Sequence, residues 1–195
     1  MPFYKRDLYN KIEDDLRTSY FNTPSAISER ITILSKVFNV LKYLHENDYA
    51  HLDLKPENIL LDNEEPIIID FGFSTKIDNQ LLTSKKGTRY FAAPEVFDFK
   101  PYSAKPADIF SLGVTSWNVM FGCRPWNDDR NGDFYKTFDM PMNESLKKLK
   151  KLLIDMTHVD PLERPTIQEA YQIIDSINIE YFSCDEVMNE FLILY

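Results

Sequence analysis

Two apolar triplets, Ile59-Leu60-Leu61 and Ile67-Ile68-Ile69, flank the polar stretch from Asp62 to Pro66, a pattern that predicts a short β-hairpin. Asn58 stands before the first triplet and Asp70 after the second. Pairing the two strands would therefore bring together two oxygen-bearing side chains twelve positions apart. Immediately upstream lie Asp53 and Lys55, a candidate base and a candidate cation. An aspartate, a lysine and two hard oxygen ligands on adjoining loops suit phosphoryl transfer, which asks a protein mainly for positioning and charge neutralisation.

The residues carry a family signature. His51-Leu52-Asp53-Leu54-Lys55-Pro56-Glu57-Asn58 resembles the catalytic loop H-R-D-L-x-x-x-N of eukaryotic-type protein kinases, and Asp70-Phe71-Gly72 resembles their metal-binding turn. Gly87 to Ala92 resembles the run that shapes the substrate pocket of serine/threonine kinases, and Ala93-Pro94-Glu95 the element that closes the activation segment. Asp108 to Gly113 is similar to the start of the family's buried central helix, and Asp160-Pro161 with Arg164-Pro165-Thr166 to its late signature. These signals follow one another in the family's order, so the chain is identified as a member.

The resemblance implies roles for particular residues. Asp53 is the carboxylate that accepts or orients the substrate hydroxyl proton, and Lys55 neutralises charge on the transferring phosphoryl group. Asn58 and Asp70 hold Mg2+, which prefers oxygen ligands, and Leu60 lies beneath the adenine ring of ATP. His51 and Phe71 belong to an apolar stack, Asp108 ties the catalytic-loop backbone to the central helix, and Glu95 pairs with Arg164. The implied activity is transfer of the ATP γ-phosphate to serine or threonine of a protein substrate.

The fold class expected is mainly α, a kinase-like large lobe with a β-hairpin at the catalytic edge and the small lobe absent. The five glycines, at positions 72, 87, 113, 122 and 132, cannot form the G-x-G-x-x-G of that small lobe. Residues 1–195 read as one domain: the hinge and its helix from about residue 1, the catalytic loop at 51–58, the activation segment at 70–95 and a tail helix at 185–194. An apolar stripe of Ile27, Ile31, Leu34, Phe38 and Leu41 predicts a helix with Ser25 or Ser28 near its start. Further helices are expected over 107–121, 146–156 and 167–177.

Composition narrows the partners. A net charge of −9 argues against a nucleic-acid-binding surface, and no apolar run reaches the length of a membrane span. Lys147, Lys148, Lys150 and Lys151 alternate with leucines as the solvated face of an amphipathic helix. Two scattered cysteines provide neither a disulfide framework nor a zinc site, which with the charged N-terminus points to the cytoplasm or nucleus. Two functions follow: a catalytic lobe nearly inactive alone, or a non-catalytic, pseudokinase-like module that engages a partner kinase or a substrate.

One position departs from the motif. Leu52 stands where the family has an arginine that receives an activation-segment phosphate. The hypothesis that follows is that this switch is not used here. A form carrying a small lobe and the changes Thr83→Ala and Ser84→Ala is expected to keep its activity; complete loss in a phosphate-transfer assay contradicts it.

Overall fold

The computed structural model describes residues 6–78, 80–98, 100–125 and 143–177. Among these residues the architecture is mostly helical, with five α-helices and five short strands. The expected tail helix at 185–194 and the hinge at 1–4 lie outside the described residues.

The chain enters through β1 (Arg6–Asp7), which runs antiparallel to β3, with Asp7 opposite Leu60. Asp7 then caps α1 (Leu8–Leu16) by accepting from the Asn10 amide at 2.7 Å. Helix α2 (Pro24–Glu46) is the longest described helix and carries the predicted stripe: Ile27, Ile31, Leu34, Phe38 and Leu41 are all buried in the core. Its start differs from expectation. Thr23, rather than Ser25 or Ser28, is the cap, accepting from the Ala26 amide at 3.2 Å, with Pro24 in the first turn where its missing N–H costs nothing.

Strand β2 (Tyr49–Ala50) pairs with β5 (Thr75–Lys76) and so closes the segment between them into one loop system. Within it, β3 (Ile59–Asp62) and β4 (Glu65–Ile68) form the predicted hairpin, tighter than expected, with Asn63 and Glu64 turning at positive φ. Pro66 sits in β4 at the sheet edge, where a missing N–H is tolerated. Ile59 and Leu61 face the core while Leu60 is half-exposed on the other face, as strand alternation requires.

Helix α3 (Ala104–Phe121) begins three residues before its predicted start and is buried nearly all round. Gly113 allows α3 to approach the end of α4 (Glu144–Met156): a Cβ there would lie 2.8 Å from Thr157 Cγ2 and 2.9 Å from Met156 Cβ. The lysines of α4 are surface groups, with Lys147 on Glu144 and Lys151 on Asp155, each at 2.8 Å. Helix α5 (Ile167–Asp175) opens with a capping box between Thr166 and Glu169.

One ion pair locks the far side of this body. The Arg164 side chain, 1% exposed, donates to both oxygens of Glu95 at 2.6 and 2.9 Å and to the carbonyls of His158, Pro106 and Val159. It thereby joins the 93–96 turn, α3 and the approach to α5. Removing one partner strands a buried charge. Glu95→Gln is expected to cost about 3–5 kcal/mol in urea unfolding, and a loss below about 1 kcal/mol would show the pair to be structurally idle.

Candidate active site

The Asp108 carboxylate, at the start of α3 and fully buried, organises the loop at 51–58. Its Oδ1 accepts from the Leu52 amide at 2.6 Å, and its Oδ2 from the His51 amide at 2.8 Å and from His45 Nε2 at 3.0 Å. These bonds hold Leu52 at φ 67°, a left-handed backbone that a leucine rarely adopts. The chain reverses there and presents the next residue, Asp53, toward residues 87–88. Thr115 adds a bond from its hydroxyl to the Leu54 carbonyl at 3.2 Å.

His51 is a hinge pin between two loops. A carbonyl can only accept, so the contact at 3.0 Å from Nε2 to the Ile69 carbonyl places the ring hydrogen on Nε2. Nδ1 then accepts from the Asp53 amide at 3.2 Å. The ring also meets Phe71 edge to face, with centroids 5.0 Å apart, as the expected apolar stack requires.

Asp53, 3% exposed, is the most heavily bonded side chain of the site. Its Oδ1 accepts from the Thr88 amide at 2.8 Å and the Thr88 hydroxyl at 2.7 Å. Its Oδ2 lies 3.1 Å from Lys55 Nζ and 3.1 Å from the Asn58 amide nitrogen. Lys55 also donates to the Thr88 hydroxyl at 2.7 Å, completing a triangle of Asp53, Lys55 and Thr88. Burial by itself would push the Asp53 carboxyl up; the bonds from Thr88 and Lys55 and the lysine's charge outweigh it and hold the group below the usual carboxylate range.

Asn58 spends its amide nitrogen on Asp53, on the backbone carbonyl at 2.9 Å as well as the carboxylate. Its amide oxygen is the atom left to meet a cation. Asp70 is joined to this group through backbone: the Ile69 amide donates to the Asn58 carbonyl at 2.9 Å. The exposed Asp70 carboxylate accepts from the Gly72 amide at 3.2 Å, and the residue itself is left-handed at φ 60°. The structure thus brings Asp53, Lys55 and Asn58 into direct contact and places Asp70 beside them by strand register. Leu60 stands on the same hairpin, half-exposed.

Thr88 belongs to the Gly87–Ala92 run that resembles the family's substrate-pocket segment, but its bond to Asp53 is not written in that motif. It is thirty-five positions from Asp53, and no local pattern marks a threonine as a donor across that span. Gly87 next to it carries the only accessible signal. At φ 91°, a Cβ there would come within 2.5 Å of the Leu52 carbonyl, so glycine is needed for the two loops to touch.

This helical body, with a buried aspartate pinning a loop that carries Asp, Lys and Asn, has the architecture of a protein kinase domain. Residues 7–173 match the family model described as protein kinase domain, and the chain belongs to that family. Maternal embryonic leucine zipper kinase of Xenopus laevis is 37% identical over 142 residues, covering 68% of this chain and 22% of that protein. Probable serine/threonine-protein kinase MARK-C of Dictyostelium discoideum is 35% identical over 144 residues, covering 69% and 18%. The carbon catabolite-derepressing protein kinase of Secale cereale is 34% identical over 141 residues, covering 69% and 28%. The chain therefore spans between 18% and 28% of the length of these three relatives.

A carboxyl held below its unfolded value contributes stability that is complete above about pH 3.9 and is lost as pH falls through the folded value. Acidification from about pH 7 to about pH 5 should leave the Asp53 contribution intact. Thr88→Val removes one donor and should raise the midpoint of the Asp53 carboxyl in a 13C NMR titration. An unchanged midpoint would show that the hydroxyl bond does not set the charge state.

Proposed function

We propose that the chain is the large, catalytic lobe of a serine/threonine protein kinase that transfers the ATP γ-phosphate to a protein hydroxyl and is nearly inactive without a small lobe. The carrying observation is the contact of Asp53 with Lys55 at 3.1 Å, with Asn58 bonded to the same carboxylate oxygen. Family membership and the names of the relatives support the reaction class.

In this reading Asp53 orients the substrate hydroxyl and takes its proton, and its low carboxyl value keeps it ionised at neutral pH. A carboxylate offers about four lone-pair sites, and Thr88, Lys55 and Asn58 fill them all. The incoming hydroxyl must therefore replace a donor. The Thr88 hydroxyl, itself an alcohol, is the group whose bond the substrate would reproduce. Lys55 would face the charge on the phosphoryl group in transit.

Oxygen donors suit a hard divalent cation, and the Asn58 amide oxygen and the exposed Asp70 carboxylate fit Mg2+ as ligands. When bound, Mg2+ would neutralise charge on the ATP phosphates. Leu60, half-exposed on β3 and paired with Ile67 of β4, would supply an apolar floor for the adenine.

The 195 residues contain no G-x-G-x-x-G, so the upper half of the nucleotide clamp must come from elsewhere. Each absent charge-stabilising device costs roughly a hundred- to a thousandfold in rate. From the ~1–100 per second usual for kinases, two such losses leave about 10⁻⁶ to 10⁻² per second. One observation favours the second reading, a non-catalytic module engaging another kinase or a substrate: Phe71 and Phe73 are 50% and 41% exposed at the active edge. A cytoplasmic or nuclear location belongs to either reading.

Transfer of labelled γ-phosphate by the chain and by Asp53→Asn separates them. Slow transfer, rising when a small lobe is supplied and abolished by Asp53→Asn, is expected. Transfer that never exceeds the mutant's, with or without a small lobe, would favour the binding module, and robust transfer by the isolated chain would overturn its dependence on a small lobe.

A further inference from the structure

Between Asp78 and Glu95 the chain carries Lys85, Lys86 and Arg89 and no acidic residue, although the whole chain has a net charge of −9. This is the stretch that delivers Thr88 to Asp53. Lys86 lies two positions before Thr88 and Arg89 one position after, so their backbones stand within about 7 Å and about 4 Å of it even where the chain is extended. A fourth cation reaches the same segment from beyond the end of α3: the Arg124 guanidinium lies over the Tyr90 ring, 4.3 Å from its centroid.

Lys86 shows how this charge is held. Its Nζ donates to the Phe73 carbonyl at 3.0 Å, and among the described residues no carboxylate pairs with it. An ammonium on a neutral carbonyl keeps its charge and two further donors. Two nearby carboxylates are committed elsewhere, Glu95 to Arg164 at 2.6 Å and Asp53 to Lys55 at 3.1 Å. Glu57 is exposed in the 51–58 loop and opposes the patch with a single negative charge.

We infer that this face selects acidic protein substrates, those with Asp or Glu within about three residues of the serine or threonine that is phosphorylated. The inference rests on the proposed role of Asp53 in orienting the acceptor hydroxyl, in the place that the Thr88 hydroxyl fills. A peptide whose acceptor sits there runs past Lys86 and Arg89. Carboxylates one or two positions from the acceptor then come inside the screening length of about 8 Å at physiological ionic strength. Charge complementarity of this kind sets which partner is chosen more than how tightly it is held. The overall charge predicts the opposite, because a body at −9 attracts basic peptides wherever they land. A preference for acidic peptides is therefore the mark of the local patch.

Two peptides test it, Ala-Glu-Glu-Ser-Glu-Glu-Ala and its counterpart with lysine for every glutamate. Each is titrated to about 5 mM, enough to reveal millimolar dissociation constants, with the Lys86, Thr88 and Arg89 amides followed by NMR. The acidic peptide is expected to shift these amides and to bind roughly three- to tenfold more tightly, the gap narrowing as salt rises from about 0.05 M to about 0.5 M. Lys86→Glu combined with Arg89→Glu should invert the order, whereas mere damage to the segment weakens both peptides alike. Equal binding, a preference for the lysine peptide, or no shift with either overturns the inference. Labelled-phosphate transfer with a small lobe supplied separates it from the function on which it rests. Acidic preference in binding without any transfer sinks the kinase reading alone, and transfer that favours the lysine peptide sinks the acidic selectivity alone.

Discussion

Everything at the active edge depends on one buried carboxylate. Asp108 is fully enclosed, and an ionised group in that position survives only if its lone pairs are met. Three donors meet them, two of which are consecutive backbone amides of the loop. A side chain on a rigid helix thus fixes the backbone of His51 and Leu52. The bonds also offset the strain of Leu52 in a left-handed conformation, of the order of 1–3 kcal/mol for such a residue. Without them the chain would relax toward an extended backbone, and the Asp53 carboxylate would turn away from Thr88.

Leu52 itself shows how a departure from a motif can be absorbed. It is buried in a second apolar cluster with Ala50, Phe91, Val96, Tyr102 and Phe110, separate from the main core. In this cluster an apolar side chain gains from burial, whereas a guanidinium would need a partner. Nearby, Leu82 and Tyr102 exchange backbone bonds at 2.8 and 2.9 Å, and the Tyr102 hydroxyl donates to the Ser84 carbonyl at 2.9 Å. Lys86 reaches the Phe73 carbonyl at 3.0 Å. The segment that follows Asp70 is therefore held against the body by backbone pairing and apolar contact.

Sequence and structure agree where a residue's role is written in its neighbours. The α2 stripe has helical period, the hairpin has two apolar runs around a polar turn, and Asp108, Glu95 and Arg164 belong to ordered motifs, so these could be read directly. Boundaries were harder. Helix α3 starts early because Pro106 is tolerated in a first turn, and α2 is capped by Thr23 because the cap precedes Pro24. Thr88 was legible as part of the Gly87–Ala92 run but not as the partner of Asp53. Its importance comes from the approach of two loops, which Gly87 permits and Asp53 rewards, and neither residue announces the other along the chain.

The two aspartates of the site occupy opposite electrostatic settings. Asp53 is buried among four donors, so its interactions act through a low local dielectric and its charge is already committed. Asp70 is exposed with one backbone amide, so solvent screens whatever it holds. A cation between Asn58 and Asp70 would therefore bind one rigid, partly buried ligand and one wet one. Cover over the half-exposed Leu60 and the exposed Phe71 would exclude that water and strengthen the Asp70 interaction at the same time as it buried apolar surface. If Asn58 and Asp70 hold a cation as proposed, hydrophobic docking at this edge and metal affinity would be coupled, because whatever sat on the aromatic face would also set the dielectric around Asp70.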